Sequence, residues 1–304
     1  MSTVNKELWL PVIEENFFAE WDKLTLLAKD DSVYVNKNGT HVAVFIPNAG
    51  TPGTVVKNNT SYPVAVTERT DSVVEYAVDS FQVPPVRVGR YDAALLSYDK
   101  LQSIARDFMG GIGEHILYNS FVNWYHGKTT GKYVETTGST VPSEAIGATG
   151  NVKTLTTADV KKAAKILDKQ NVPAMNRILL LPSSMFYQLH DSVIEKFDIV
   201  DNDGMAMFDK PFYGFKVIKM PYVLNLQSNG TVRAVGNVGA TTDLEAGLAY
   251  HRDMVSVARA DTYIFDATDR PEYYGDIISA ETWAGGKYRR TDKYGVVPIL
   301  QTAV

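Results

Sequence analysis

Apolar residues near the amino terminus recur at helical spacing, and this pattern predicts a helix over residues 5–29. Pro11 suits the first turn of such a helix. The apolar stripe is formed by Leu10, Ile13, Phe17, Trp21, Leu24 and Ala28. Because the acidic side chains lie largely off this stripe, we expect the stripe to be buried. It would pack either on its own domain or, as an arm, on a neighbouring subunit.

Between residues 33 and 88 the period changes to two. Segments 41–46 and 73–78 are rich in β-branched and aromatic residues and predict strands. Segments 47–53 and 57–61, which lie between them, consist almost entirely of turn formers. The pattern predicts a long two-stranded ribbon with a loose tip. Since such a ribbon is only marginally stable alone in water, another surface must hold it.

Helical spacing returns after Ser97, a good N-cap, and predicts a helix from Tyr98 to about Tyr125. Its apolar stripe is formed by Leu101, Ile104, Ala105, Phe108, Ile112, Ile116 and Val122. Three glycines interrupt the middle of this helix, at 110, 111 and 113. Each costs about 1 kcal/mol relative to alanine, which predicts a bend or a close contact with a crossing element. They do not form a phosphate-binding loop, since no strand precedes them and no Gly-Lys-Ser/Thr follows.

Residues 127–152 are rich in Gly, Thr and Ser and have no apolar period, which predicts a surface loop or a domain boundary. Thr156 and Asp159 resemble a capping pair that opens a helix. The apolar run 177–181 then predicts a strand covered on both faces. The buried side chains expected on the first helix, and on a short helix that begins at Pro182, are Val160, Ala164, Leu167, Met185, Phe186 and Leu189.

The remaining segments predict short elements of a compact α+β domain. They are a second short helix over 193–197 and strands over 212–220 and 232–235. Residues 246–258 predict a helical turn or short strand that leads into an apolar run. Residues 281–298 predict two strands around Gly285-Gly286, followed by a final strand.

Composition restricts the classes of protein that fit. The net charge of −5 and pI near 5.6 argue against binding nucleic acid through a basic face, although a shell that merely encloses DNA needs none. With no cysteine, the chain has no disulfide, thiolate nucleophile or cysteine-ligated metal. The first apolar residues are followed by acidic ones, unlike a signal peptide, and no apolar run is long enough to span a membrane.

Candidate chemistry is sparse, and we predict no catalytic, cofactor-binding or metal-binding residues. None of the five histidines (His41, His115, His126, His190 and His251) stands at metal-ligand spacing. Residues 198–204 fail as a calcium loop because Ile199 and Lys210 occupy acidic positions of the motif, so we expect a solvated turn. Ser120, Ser183 and Ser184 lack the sequence context of a hydrolase nucleophile. Lys287, Arg289 and Arg290 could touch nucleic acid, but three charges in one strand more often form salt bridges or a solvated face.

The order of these segments along the chain resembles the order found in one protein family. The helix with central glycines, the leucine-rich strand, the run Pro-Ser-Ser-Met-Phe-Tyr-Gln-Leu at 182–189 and the returning strands after Ala246 occur in turn. Together they resemble the major capsid protein of tailed double-stranded DNA bacteriophages, which has the Hong Kong 97-type capsid fold. The resemblance implies an α+β fold divided into an N-terminal arm (1–32), an extended loop (33–90), a peripheral domain with a long spine helix (91–152 and 246–298), an axial domain (153–245) and a C-terminal tail (299–304).

The function implied by the resemblance is structural and not enzymatic. Copies of the chain would form hexamers and pentamers of an icosahedral head that encloses double-stranded DNA without sequence specificity. Portal and scaffolding proteins would be further partners, no membrane would be involved, and the head would assemble in the cytoplasm of a bacterial host. Many relatives carry a scaffolding segment before the arm, so a chain that begins near the arm implies a separate scaffold or a mature form. Some relatives also cross-link a lysine to an asparagine between subunits, but no partner motif for Lys57, Asn58 or Asn59 is visible.

Two alternatives remain open at this point. The first is an encapsulin-like compartment with the same fold, which would enclose cargo protein. The second is an α+β enzyme or ligand-binding domain with an unrecognised site, and it predicts a compact particle exposing about 12,700 Å². A subunit with protruding arms should expose clearly more surface.

Overall fold

The computed structural model describes residues 23–37, 42–50, 55–60, 62–63, 66, 68–89, 99–193, 196–202, 204–234 and 239–304. Its helices are α1 (Asp99–Trp124), α2 (Thr157–Lys169) and α3 (Ser183–Asp191), with short 3-10 turns at Ser32–Tyr34 and Arg252–Met254. Its strands are β1 (Lys29–Asp30), β2 (Val35–Asn36), β3 (Ala43–Asn48), β4 (Ser72–Ala77), β5 (Asp79–Gln82), β6 (Val86–Gly89), β7 (Val134–Glu135), β8 (Thr140–Pro142), β9 (Asn151–Lys153), β10 (Arg177–Pro182), β11 (Ile199–Asn202), β12 (Met205–Phe208), β13 (Phe215–Met220), β14 (Leu224–Leu226), β15 (Leu244–His251), β16 (Val255–Arg270), β17 (Gly275–Tyr288) and β18 (Val296–Leu300).

The largest sheet runs in the order β11-β12-β13-β10-β15-β18-β7, and β14 pairs with β15. Strand β10 is parallel to β13 and antiparallel to β15, so the sheet is mixed. Strands β10 and β18 are buried along their whole length because both faces of the sheet are covered. Alternate residues of β10 enter different cores: Ile178 and Leu180 pack on the α1 side, whereas Leu179 and Leu181 pack on the side that holds α2 and α3.

A second sheet is built on the long hairpin β16–β17. The sheet runs β1-β16-β17-β5, with β6 also on β17, and β17 packs against α1. A third sheet, β2-β3-β4, forms the ribbon, and β8 and β9 pair with each other. The predicted ribbon strands are therefore present, and a short third strand, β2, widens the ribbon.

Several local predictions are confirmed. Helix α1 spans almost the predicted residues, and Phe108, Ile112 and Ile116 of its stripe are buried. The Thr156–Asp159 capping box is formed in both directions at the start of α2. The side chains predicted to be buried on α2 and α3 all lie in the core of the large sheet. Of the helix predicted at the amino terminus, residues 23–27 are seen, and Leu24 and Ala28 are buried on the same subunit. The helix ends at residue 27, and β1 begins at Lys29. Residues 5–22 lie outside the described residues.

Other local predictions are wrong. Residues 127–152 are not a plain loop: they contain β7, which pairs with β18, and the hairpin β8–β9. These strands are too short to show an apolar period, although Val134 of β7 and Val152 of β9 are buried in the two main cores. Residues 192–193 and 196 are turn where a second short helix was expected, and residue 194 lies outside the described residues. The strand expected over 212–220 begins at Phe215, after a turn at Tyr213-Gly214, and Val232 makes only an isolated bridge to Leu226.

The glycine predictions also need correction. Gly285 and Gly286 do not separate two strands; they lie inside β17. At Gly110 and Gly111 no described residue of a crossing element lies within 4 Å of the position that a Cβ would take, so the close contact expected there is absent; a bend, and a contact at Gly113, stay predictions. The described part of the chain contains no helix that is both long and apolar enough to cross a membrane.

Candidate assembly surfaces

The ribbon β2-β3-β4 has one buried and one exposed face. On the buried face Val44 stands opposite Tyr76, and Ile46 stands opposite Val74. These side chains form a small apolar cluster with Val78 and with Ala258 of β16. On the other face Phe45 and Val73 are exposed. The ribbon is therefore attached to the subunit by its base and by one face only.

The tip of the ribbon, between β3 and β4, carries apolar side chains into solvent. Val55 and Val66 are 94% and 95% exposed, and Val56 and Tyr62 are also exposed. The base of the tip is closed by Asp71, which accepts a hydrogen bond from the backbone N–H of Gly50 and pairs with Arg69. Apolar side chains grouped on an exposed projection are typical of a protein–protein contact.

A buried carboxylate lies at the base of the ribbon. Asp31 is 1% exposed, and its Oδ2 atom accepts hydrogen bonds from Arg289 Nη1 and Ser256 Oγ, each at 2.5 Å. The Tyr76 hydroxyl lies 2.8 Å from Ser256 Oγ. Burial raises the pKa of Tyr76 well above its usual value, so this hydroxyl stays protonated. The ribbon, the segment before it and the hairpin β16–β17 thus share one polar cluster.

Two glycines of β17 allow the ribbon and α1 to approach this sheet. A Cβ on Gly285 would lie 2.7 Å from the carbonyl oxygen of Ala77, at the end of β4. A Cβ on Gly286 would lie 2.6 Å from the carbonyl oxygen of Ser256. The same oxygen accepts a hydrogen bond from the indole N–H of Trp124 at the end of α1. These contacts explain the glycine pair around which the sequence predicted two separate strands.

The far end of the hairpin β16–β17 is a second exposed apolar surface. Tyr274 at its turn is 79% exposed, and Tyr263, Phe265 and Tyr273 are also exposed. Nearby, Glu281 accepts hydrogen bonds from the side chains of Ser80, Gln82 and Trp283, and these bonds lower its pKa. The carboxylate links β5 to the middle of β17.

Most residues that the sequence analysis considered as possible site residues make contacts that stabilise the subunit. At the end of β17, Lys287 donates to the carbonyl oxygen of Glu75. Just after the strand, Arg289 pairs with Asp31 and Arg290 with Asp292, so these two charges form salt bridges within the subunit. Ser184 donates to Glu245 in the core.

The other residues considered for sites also fit this picture. Residues 199–208 form the hairpin β11–β12, with Gly204 at positive φ near its turn. His126 and His251 are buried, His190 contacts the carbonyl oxygen of Phe197, and His41 lies outside the described residues. The described residues contain no group of three or more His, Asp or Glu side chains suited to hold a metal ion. The residues that matter most here, Asp31 and Arg289, were not linked in the sequence because 258 positions separate them.

No family model matches the chain, and no curated protein is similar to it in sequence. Solved structures are similar in fold. The capsid of Ralstonia phage GP4 has a TM-score of 0.60 at 12% identity, covering 91% of this chain and 87% of that one. The cyanophage Pam1 capsid has a TM-score of 0.57 at 12% identity, covering 90% and 88%. The capsid of a native GTA particle has a TM-score of 0.55 at 10% identity, covering 92% and 90%.

The chain has the Hong Kong 97-type capsid fold. The fold expected from the order of the sequence segments is confirmed over nearly the whole chain. Within the capsid fold, the long helix α1, the hairpin β16–β17 and the large mixed sheet form the body, and the ribbon β2-β3-β4 packs on the hairpin by one face. At 10–12% identity the likeness concerns the backbone arrangement, so the function is argued from the exposed surfaces.

Proposed function

We propose that the chain is the structural major capsid protein of an icosahedral phage head. The observation that carries the proposal is a capsid fold whose ribbon exposes its apolar tip. A subunit with such a tip gains stability by burying it on another copy, at about 25 cal/mol for each Å² of apolar surface removed from water. The assembly hypothesis expects a subunit that exposes more than the roughly 12,700 Å² of a compact monomer of its mass. The apolar side chains exposed at the ribbon tip and on the hairpin β16–β17 support it over the compact-enzyme alternative.

The proposal includes the division of the chain that the resemblance implies. Residues 1–32 are the N-terminal arm, 33–90 the extended loop, 91–152 with 246–298 the peripheral domain, 153–245 the axial domain and 299–304 the tail. Strand pairing crosses these boundaries: β15 and β18 pair into the large sheet that contains β10 and β13, and β5 and β6 pair with β17. The ribbon would lie over a neighbouring copy in hexamers and pentamers.

The remaining parts of the proposal concern partners and place. The head would form in the cytoplasm of a bacterial host with portal and scaffolding proteins, and would enclose double-stranded DNA without sequence specificity. The chain would act by assembly and not by catalysis. The phage capsids among similar structures support a genome-bearing head over an encapsulin-like compartment.

The decisive experiment tests the tip. Deleting residues 48–60 should leave a folded subunit, because the cores of the large sheet and of α1 lie elsewhere, but should abolish shells in electron micrographs. Because the deletion removes many side chains and backbone contacts at once, point variants give a sharper test. Val55→Asp with Val66→Asp places charges on side chains that are already solvent-exposed in the free subunit, so only a contact between copies would suffer.

The matched control is Val55→Ile with Val66→Ile, which keeps the tip apolar and should still assemble. Circular dichroism and thermal melting would verify that all three proteins fold alike. Normal shells from the aspartate variant would refute a role for the tip. A wild-type protein that stays a monomer under all assembly conditions would refute the proposed function itself.

A further inference from the structure

The segment just before the ribbon is tied to the ribbon through a buried polar chain. Asp31 follows β1, which is parallel to β16, and the backbone N–H of Asp31 donates to the carbonyl oxygen of Val257 at 2.8 Å. Upstream, Arg252 Nη2 donates to the carbonyl oxygen of Thr25 at 2.8 Å. Leu24, Leu27 and Ala28 are buried in the main core. The segment from 23 to 31 is therefore attached firmly to the body at several points.

The direction of the hydrogen bonds can be assigned. The Ser256 hydroxyl donates its only proton to Asp31 Oδ2, so the Tyr76 hydroxyl must be the donor to Ser256 Oγ. The chain of donors runs from the ribbon through β16 to the carboxylate, and Arg289 supplies the opposite charge. Hydrogen bonds to an ionised acceptor are about twice as strong as neutral ones, so the negative charge of Asp31 strengthens the whole chain.

We propose that Asp31 is a buried latch that makes the N-terminal segment and the ribbon change position together. Withdrawal of the N-terminal segment would remove the carboxylate, leave Arg289 without its counter-ion and deprive Ser256 of its acceptor. The hold on Tyr76, and with it on the ribbon base, would then weaken. The ribbon base is also held by the apolar cluster around Val44, by the close packing of Ala77 on Gly285 and by the pairing of β5 with β17. Among these the Asp31 cluster is the attachment that also contacts the N-terminal segment through a buried charge, whereas the pair Lys37–Asp261 is exposed. This inference concerns the free subunit and does not depend on the proposed function.

Hydrogen exchange followed by mass spectrometry can test the latch on the unassembled full chain. Asp31→Asn keeps the shape of the side chain and removes its charge. We expect exchange to become at least about tenfold faster in residues 28–36 and also in β3 and β4, because one partner of a buried ion pair is removed. Exchange in β10, which lies in the large sheet, should stay unchanged.

Ser256→Ala is the second variant, and it keeps the subunit testable if Asp31→Asn fails to fold. It breaks the chain between Tyr76 and Asp31 but leaves Arg289 paired with Asp31. We expect faster exchange in β3 and β4 and little change in residues 28–36. The control Lys37→Ala removes an exposed pair and should change ribbon exchange by less than about fivefold.

The outcomes distinguish the latch from a local structural role. Faster exchange in the ribbon with both latch variants supports the coupling. If Asp31→Asn affects only residues 28–36, or if Ser256→Ala leaves ribbon exchange as in the wild type, the coupling is wrong. Shell formation by these variants is a separate measurement, so failure to assemble would not be mistaken for loss of the latch.

Discussion

Gly285→Ala tests whether the base of the ribbon is packed as tightly as the structure indicates. The added methyl group would lie 2.7 Å from the carbonyl oxygen of Ala77 and 3.2 Å from the Cα atom of Val78. Both are backbone atoms, which cannot turn aside as a flexible side chain can. To reach the 3.4 Å of ordinary contact, the end of β4 must move by about 0.7 Å.

That movement would disturb two attachments. The backbone N–H of Val78 donates to the carbonyl oxygen of Val42, and the next residue, Asp79, pairs with Ala284 in the β5–β17 ladder. Overpacking of this kind costs about 1–3 kcal/mol. Replacing a glycine in a strand returns about 0.5–1 kcal/mol of backbone entropy. Taking the middle of both ranges, we expect a net loss of about 1 kcal/mol, which lowers the melting temperature of a chain of 304 residues by about 2 °C.

Gly111→Ala is the matched control. Gly111 lies in α1, and nothing in the described subunit is within 4 Å of the position its Cβ would take. Since alanine favours a helix interior over glycine by about 1 kcal/mol, this variant should melt at a higher temperature than the wild type. Thermal melting by circular dichroism, with hydrogen exchange of β3 and β4, measures both variants. A Gly285→Ala protein as stable as the wild type, with unchanged ribbon exchange, would refute the packing described here.

Three further predictions concern buried polar groups. Tyr250→Phe should stabilise the subunit by about 1 kcal/mol, because the fully buried hydroxyl of Tyr250 has no hydrogen-bond partner among the described residues. Tyr76→Phe should destabilise the subunit by a similar amount, because it removes the hydrogen bond to Ser256. Equal melting temperatures of the two variants would contradict this. Burial lowers the pKa of His126, so its imidazole binds a proton at a higher pH in the unfolded chain than in the folded one. The free energy of unfolding should therefore fall as the pH drops below about 6.5, and in urea unfolding His126→Gln should show a weaker dependence of this free energy on pH. Asp243→Asn should lower the free energy of urea unfolding by about 2 kcal/mol, because the buried carboxylate accepts charge-assisted hydrogen bonds from Arg233 and from the N–H of Ala240. The control Arg69→Ala removes an exposed pair and should have a smaller effect; an equal effect of the two variants would contradict the prediction.

The elements that the sequence predicted well are those whose own residues determine them. Strand β10 is buried at every position and is apolar from Ile178 to Pro182 because it lies between two cores, and α2 begins where Thr156 and Asp159 can cap it. The alternation in β3 and β4 reflects one buried and one exposed face. Such signals are local, and a single sequence is enough to read them.

The strands of residues 127–152 could not be predicted in this way. Strand β7 is only two residues long, and it exists because β18, far along the chain, offers a backbone edge. Gly138 lies so close to Thr154 that a Cβ there would meet its side-chain oxygen at 2.1 Å. Loops and short paired strands can have the same polar, glycine-rich composition, so only the tertiary pairing distinguishes one from the other.

The polar cluster at the base of the ribbon was hidden for a different reason. Asp31 and Arg289 are ordinary charged residues in sequence, and each becomes meaningful only when β1 lies beside β16 and β17. The glycine pair 285–286 was a sign of this junction in the sequence, because two adjacent glycines in a strand indicate that other backbone atoms lie close to it. Their partners are Ala77 of the ribbon and Ser256, which also contacts α1. A charged pair that is buried at the same place indicates that this junction must hold one particular geometry, since filling it with apolar side chains would be the simpler way to gain stability. The ribbon base is therefore where changes should alter the orientation of the ribbon, whereas changes at the tip should alter only what the ribbon binds.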